Sequence, residues 1–213
     1  GLSPRHVYLT GSPMKEALDH QAEKIAASNA LDTLGLTPQG YFLVSAHREE
    51  NVDHPDRLQQ LVDTLQGLAK DHGKPVVVSL HPRTRKRIEA LGITDGDGLV
   101  FQPPFGFSDY CRLQMDAACV LSDSGTISEE SAILDFPAVS IRDSIERPEA
   151  LDTGSIILCG LDAESVRIAV GARLAEPKQT SRPFEYMIDD CSNRVVNLII
   201  GLTPRSKFWA NLH

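Results

Sequence analysis

Residues able to do chemistry gather in four short segments: His47-Arg48-Glu49-Glu50-Asn51, His81-Pro82-Arg83, Asp123-Ser124-Gly125-Thr126, and Arg142-Asp143 followed by Glu146-Arg147-Pro148-Glu149. Each comes just after a short apolar run. In an open parallel sheet, ligands bind beyond the carboxyl ends of the strands, so such segments would bring histidine, arginine, hydroxyl and carboxylate groups to one rim. Ser124, Gly125 and Thr126 stand between an apolar run and a helix-period segment. There, free backbone N–H groups and the helix dipole favour an anion, and a glycine lets a phosphate approach the backbone. The same residues also read as a capping box, Thr126-x-x-Glu129, ahead of an ordinary helix, and one turn can do both. Glu129 and Glu130 are adjacent on that helix, point to different sides, and do not form an acid and base pair.

His47 is flanked by Arg48 and two carboxylates, which suits acid or base work or phosphate binding; a histidine that merely caps a strand end is the alternative. His81 carries the same two readings, with Pro82 marking a helix start. Phe101, Phe105, Phe107 and Tyr110 could offer a ring for stacking on a nucleobase, with Tyr110 the choice at the helix entry; core packing is the commoner fate of such clusters. His6, His20, His54, His72 and His213 have no partner at metal spacing, so no metal site is expected. The absence of GxGxxG, P-loop lysine and GxSxG patterns weakens NAD, ATPase and hydrolase readings. Phosphate donors and a base platform on one rim suggest a nucleotide.

Helix periodicity covers 13–30 with Ser12 as N-cap, 55–70, 82–91, 108–116, 127–134, 163–174 behind Asp162, and 187–200. The last of these would bury Ile188, Cys191, Val195, Leu198 and Ile199 on one face. Strand-like runs lie at 41–46, 75–80, 99–102, 119–122, 138–141 and 155–159, with a Gly/Asp turn at 95–98 and a polar loop at 176–182. Strand and helix in steady alternation mean right-handed crossovers and a parallel sheet covered on both faces: a doubly wound, Rossmann-like α/β fold. Residues 1–12 read as a linker segment, 13–186 as the domain, and 187–213 as a terminal helix and surface tail that packs on another domain.

The chain has 213 residues, with 21 Lys plus Arg against 29 Asp plus Glu and a net charge of −8. No basic cluster offers the phosphate contacts that nucleic-acid binding needs. Composition is 41% apolar and 23% charged, that of an ordinary globular protein. No apolar run approaches the roughly 20 residues of a membrane span, so no membrane partner is expected. The start Gly1-Leu2-Ser3, with neither Met nor the basic and apolar regions of a secretory signal, suggests a processed or excised piece. Four cysteines without CxxC spacing point to reduced thiols and a cytoplasmic home.

Taken in order, Thr10-Gly11-Ser12-Pro13, the stretch from Ser45 to Asn51, His81-Pro82, the stretch from Ser122 to Glu130, and Glu146-Arg147-Pro148-Glu149-Ala150 resemble the non-hydrolysing UDP-N-acetylglucosamine 2-epimerases. The resemblance implies the C-terminal half of a two-domain GT-B-type fold. It implies inversion at C2 of a UDP-activated 2-acetamido sugar, by elimination and re-addition of UDP through a 2-acetamidoglycal, without cofactor or metal. It assigns the diphosphate to Ser124, Gly125 and Thr126, the ribose hydroxyls to Glu130, and the leaving phosphate to His47 supported by Arg48. His81, Tyr110 and Arg147 fall to the nucleotide side of the cleft. Gly125-Thr126 with Ser128, where many members have a second glycine and a glutamine, looks like the subgroup that forms UDP-N-acetyl-L-fucosamine for surface polysaccharides. The proton-abstracting carboxylates would come from the chain's own N-terminal domain, which these residues do not include, and the precedent is a homodimer. The donor-binding half of a GT-B glycosyltransferase, or a non-catalytic α/β module with a protein partner, would show a similar polar rim.

Overall fold

A computed structural model describes residues 7–178 and 181–205. The start of the expected linker, two residues of the 176–182 loop, the end of the tail, His6 and His213 lie outside them. Among the described residues, six strands form one parallel sheet: β1 Phe42–Ser45, β2 Val76–Ser79, β3 Leu99–Gln102, β4 Cys119–Ser122, β5 Ala138–Ser140 and β6 Ile157–Leu158. Their spatial order is β3-β2-β1-β4-β5-β6. This is the doubly wound order of the Rossmann fold, with its reversal between β1 and β4.

The helices are α1 Met14–His20, α2 Ala22–Ala26, α3 Ala30–Leu34, α4 Glu49–Val52, α5 Pro55–His72, α6 Pro82–Ala90, α7 Phe107–Asp116, α8 Ile127–Leu134, α9 Pro148–Asp152, α10 Ala163–Ala175 and α11 Cys191–Leu202. Successive strand residues face opposite sides, so β1 sends Phe42 and Val44 to one core and Leu43 to the other. The first core is closed by Leu58, Leu61 and Leu65 of α5 and Val166 and Val170 of α10. The second is closed by Leu31 of α3, Leu113 of α7 and Ile127 and Ala132 of α8. With both faces of the central strands covered, β1, β2 and β4 are apolar up to a serine at the carboxyl end, as buried parallel strands tend to be.

Two helices depart from the sequence reading. The single helix over 13–30 is α1 and α2, with α3 beginning at Ala30. Ser28 ends α2 by turning its hydroxyl outward: its Oγ donates to Asp109 Oδ1 at 2.6 Å and accepts from the Ala30 N–H at 3.2 Å. A serine that finds such partners competes with helical bonding. Nothing in the structure explains the turn at Gln21. Ser12 behaves nearly as expected, its Oγ accepting from the Met14 N–H at 3.1 Å, although Pro13 is the formal cap.

The helix over 187–200 begins four residues late, as α11 at Cys191, because Ile188 packs against the left-handed Gly11 instead; a methyl on Gly11 would lie 2.7 Å from Ile188 Cβ. Its expected buried face is not buried here. Ile188 and Cys191 are, but Leu198 is only half-buried and Val195 and Ile199 are exposed, the latter at 57%. Among the described residues, no helix is long and apolar enough to cross a membrane.

Candidate functional site

β1 and β4 run side by side with Ser45 opposite Ser122, so the segments that leave them meet where the strand order reverses. The carboxylate of Asp123, fully buried, joins the two. It accepts from the His47 N–H at 3.0 Å, the Arg48 N–H at 2.9 Å and Asn51 Nδ2 at 3.1 Å, and its Oδ1 lies 3.2 Å from His47 Nδ1. Arg48 adds a bond from Nε to the Asp123 carbonyl at 2.9 Å, with its guanidinium turned toward Glu146 at 3.9 Å. The His47 side chain is half exposed on the cleft side of this knot.

The turn into α8 is organised by its own hydroxyls. Ser122 Oγ accepts from the Ser124 N–H at 3.0 Å, Ser124 and Thr126 share a hydroxyl bond of 2.9 Å, and Thr126 Oγ1 donates to Glu130 Oε1 at 2.7 Å. The expected capping box does not form, because Thr126 makes no side-chain cap bond and Glu129 is engaged elsewhere. Glu129 accepts from the Ser12 hydroxyl and pairs with Arg147 Nε at 3.0 Å. Glu129 and Glu130 do point apart, as read from the sequence: Glu130 faces Thr126 and Gln114, whose Nε2 donates at 2.6 Å. The Arg147 guanidinium spreads over the turn, so that a methyl on Gly125 would lie 2.6 Å from its Nη1. The Gly125 N–H has no partner among the described residues. A positive group thus faces an open N–H at the start of a two-turn helix, an arrangement suited to an anion.

Tyr110 is half-buried against the second core; burial and the neighbouring Glu130 charge push its phenol well above the ordinary range. It therefore stays a neutral donor beside Glu130. Phe101 is buried, Phe105 packs against the core, and Phe107 is exposed. His81 is exposed at the next strand end, where its Nδ1 accepts from the Arg83 N–H at 3.3 Å and caps α6. Among the described residues, it makes no hydrogen bond to the other site residues.

The sequence reading passes over the residues that tie the site together, Asp123 as its hub and Gln114 and Ser12 as supports, and over Tyr186, whose buried hydroxyl near Glu129 and Arg147 has no hydrogen-bond partner among the described residues. Asp123 stands in one of the four polar segments, but its role needs the knowledge that β1 lies next to β4. Gln114 and Ser12 act across long stretches of chain. All four cysteines are free, and burial pushes the Cys111 and Cys119 thiols to about 12, which leaves them inert.

A family profile described as UDP-N-acetylglucosamine 2-epimerase matches residues 1–200. The UDP-2,3-diacetamido-2,3-dideoxy-D-glucuronate 2-epimerase of Pseudomonas aeruginosa is 33% identical over 173 residues, 76% of this chain and 48% of the relative. The solved UDP-N-acetylglucosamine 2-epimerase of Rickettsia bellii is 38% identical with a TM-score of 0.82, over 93% of this chain and 54% of that one. The UDP-GlcNAc 2-epimerase of Methanocaldococcus jannaschii, solved in complex with UDP-GlcNAc and UDP, is 26% identical with a TM-score of 0.83, over 94% and 56%. The chain spans about half the length of the curated relatives it matches. By sequence and by fold, it belongs to the UDP-N-acetylglucosamine 2-epimerase family.

Proposed function

We propose that the chain is the C-terminal, UDP-binding half of an enzyme that inverts C2 of a UDP-activated 2-acetamido sugar. The observation that carries this reading is the turn at Ser124, Gly125 and Thr126 with the Arg147 guanidinium over it, at the strand-order reversal. The diphosphate takes the Gly125 N–H, the Ser124 and Thr126 hydroxyls and Arg147. Charge-assisted bonds of this kind contribute about 1.5–3 kcal/mol each. The ribose hydroxyls reach Glu130, which Gln114 and Thr126 hold in place. His47 stands at the leaving phosphate oxygen, and Tyr110, Arg48 and His81 line the nucleotide side.

In the reaction, the C1–O bond to UDP breaks as C2 loses its proton, giving a 2-acetamidoglycal. Re-addition of UDP at C1 and of a proton on the other face of C2 completes the inversion. No carboxylate of this chain takes the C2 proton; that group belongs to the N-terminal half, against which the apolar face of α11 packs. The Gly125-Thr126 spelling favours a UDP-2-acetamido-2,6-dideoxy-L-hexose as substrate, for surface polysaccharide synthesis.

The test uses UDP-GlcNAc and its 6-deoxy-L-hexose counterparts in deuterated water without any acceptor. The two-domain protein is expected to return a C2 epimer carrying deuterium at C2, and the 213-residue chain alone to bind UDP weakly and leave C2 untouched. Exchange at C2 by this chain alone would overturn the division of labour. No epimer from the two-domain protein with any of these sugars would favour a glycosyltransferase donor domain.

A further inference from the structure

The Asp123 carboxylate does more than tie two strand ends together. A buried charge is costly unless its lone pairs are met, and backbone N–H groups of His47 and Arg48 with Asn51 Nδ2 already meet those of Oδ2. Oδ1 is placed differently: it accepts the His47 N–H at 3.1 Å and also faces that residue's own ring, 3.2 Å from Nδ1. The contact is at ion-pair distance, between a half-exposed ring and a fully buried carboxylate. An acceptor at that place selects which ring nitrogen holds the proton, since the bond made by one nitrogen decides the state of the other.

We propose that Asp123 is the positioning residue of His47: it holds the proton on Nδ1 and fixes the ring so that Nε2 meets the substrate. The proposal rests on the reading of His47 as the group at the leaving phosphate. Nε2 then bears a lone pair in the neutral ring and a proton only in the imidazolium. When UDP leaves, the imidazolium gives the Nε2 proton to a phosphate oxygen, and Nε2 recovers it when UDP adds back. Asp123 touches neither sugar nor phosphate.

Asp123→Asn separates this from a merely structural role. The amide oxygen can replace Oδ2 and keep its three donors, the His47 N–H among them, while the NH2 replaces Oδ1, gives up that N–H's second contact and points at Nδ1. Nδ1 must then accept, and the proton moves to Nε2. The measurement is the pair of ring-nitrogen 15N shifts of His47, assigned by loss of the signal in His47→Gln. In the unsubstituted chain, the neutral ring is expected as the Nδ1–H form, and in Asp123→Asn as the Nε2–H form. In the two-domain protein, kcat is expected to fall about 100-fold, while the affinity for UDP changes by less than about 3-fold. A neutral ring already protonated on Nε2 in the unsubstituted chain overturns the proposal, even if Asp123→Asn does not fold. So does an unchanged tautomer in a folded Asp123→Asn. Failure of UDP to bind the unsubstituted chain would sink the nucleotide reading instead and leave the tautomer result standing.

Discussion

Arg142 and Glu146 show how charge is managed beside the site. The Arg142 guanidinium is 3% exposed at the end of β5, and both of its terminal nitrogens donate to Glu146, which is itself largely solvent-facing. That bond, more than the nearby Arg48 charge, lowers the Glu146 carboxyl from its ordinary 4.5 to about 2. A carboxylate with a depressed folded value contributes stability above its unfolded value and loses it as pH falls through the folded one. Glu146→Gln is therefore expected to lower the melting temperature most at neutral pH. The gap should narrow below pH 4.5 and close near pH 2. Melting curves followed by circular dichroism at several pH values check this, and a gap that persists unchanged into acid would contradict it. Solvent screening keeps the effect small. At this scale, the hydroxyls and glycine of the α8 turn, His47 and Arg147 are legible in the sequence, because their types and positions after apolar runs carry their own chemical meaning. Asp123, Gln114 and Ser12 are not, because each acts on a residue at least 16 positions away.

Among the elements, α11 is the exception to a well-buried fold. Its apolar residues Val196, Ile199 and Ile200 are 48%, 57% and 68% exposed, whereas Phe136, after α8, is fully enclosed by the second core. The two surfaces should answer mutation differently. Phe136→Ala is expected to cost about 3–5 kcal/mol, whereas Ile199→Glu with Ile200→Glu should shift the stability of this chain by no more than about 0.5 kcal/mol per site. Urea unfolding of the chain measures both; a large loss from the α11 pair would mean that the helix already packs here. Periodicity finds α5, α6, α7, α8 and α10 to within two residues at either end, helped by local signals such as the first-turn prolines of α5 and α6 and the Asp162 cap of α10. It misses the break at Ser28, which depends on Asp109 from a distant helix, and the late start of α11, which depends on Gly11 making room for Ile188. It also credits α11 with a buried face, since an apolar stripe in a sequence does not say what covers it.

Across the whole molecule, the doubly wound order sets separate polar segments along one edge of the sheet. β1 and β4 are separated in the sequence by two other strands, yet they lie side by side, and only that adjacency lets Asp123 reach His47. The alternation of strands and helices makes the fold class legible, but not which strands are neighbours, because spatial order is a property of the crossovers rather than of any one segment. The chain's overall charge of −8 is likewise no guide to the rim, where Arg147 stands over the α8 turn. The central claim is that this turn holds a diphosphate, and titration of UDP into the 15N-labelled chain tests it most directly. The account predicts that the largest amide shifts fall on Ser124, Gly125 and Thr126, that the Arg147 side-chain N–H signal moves with them, and that Ser124→Ala weakens binding about 10-fold. Saturable shifts confined to another part of the molecule, or an affinity for UDP unchanged in Ser124→Ala, would contradict it.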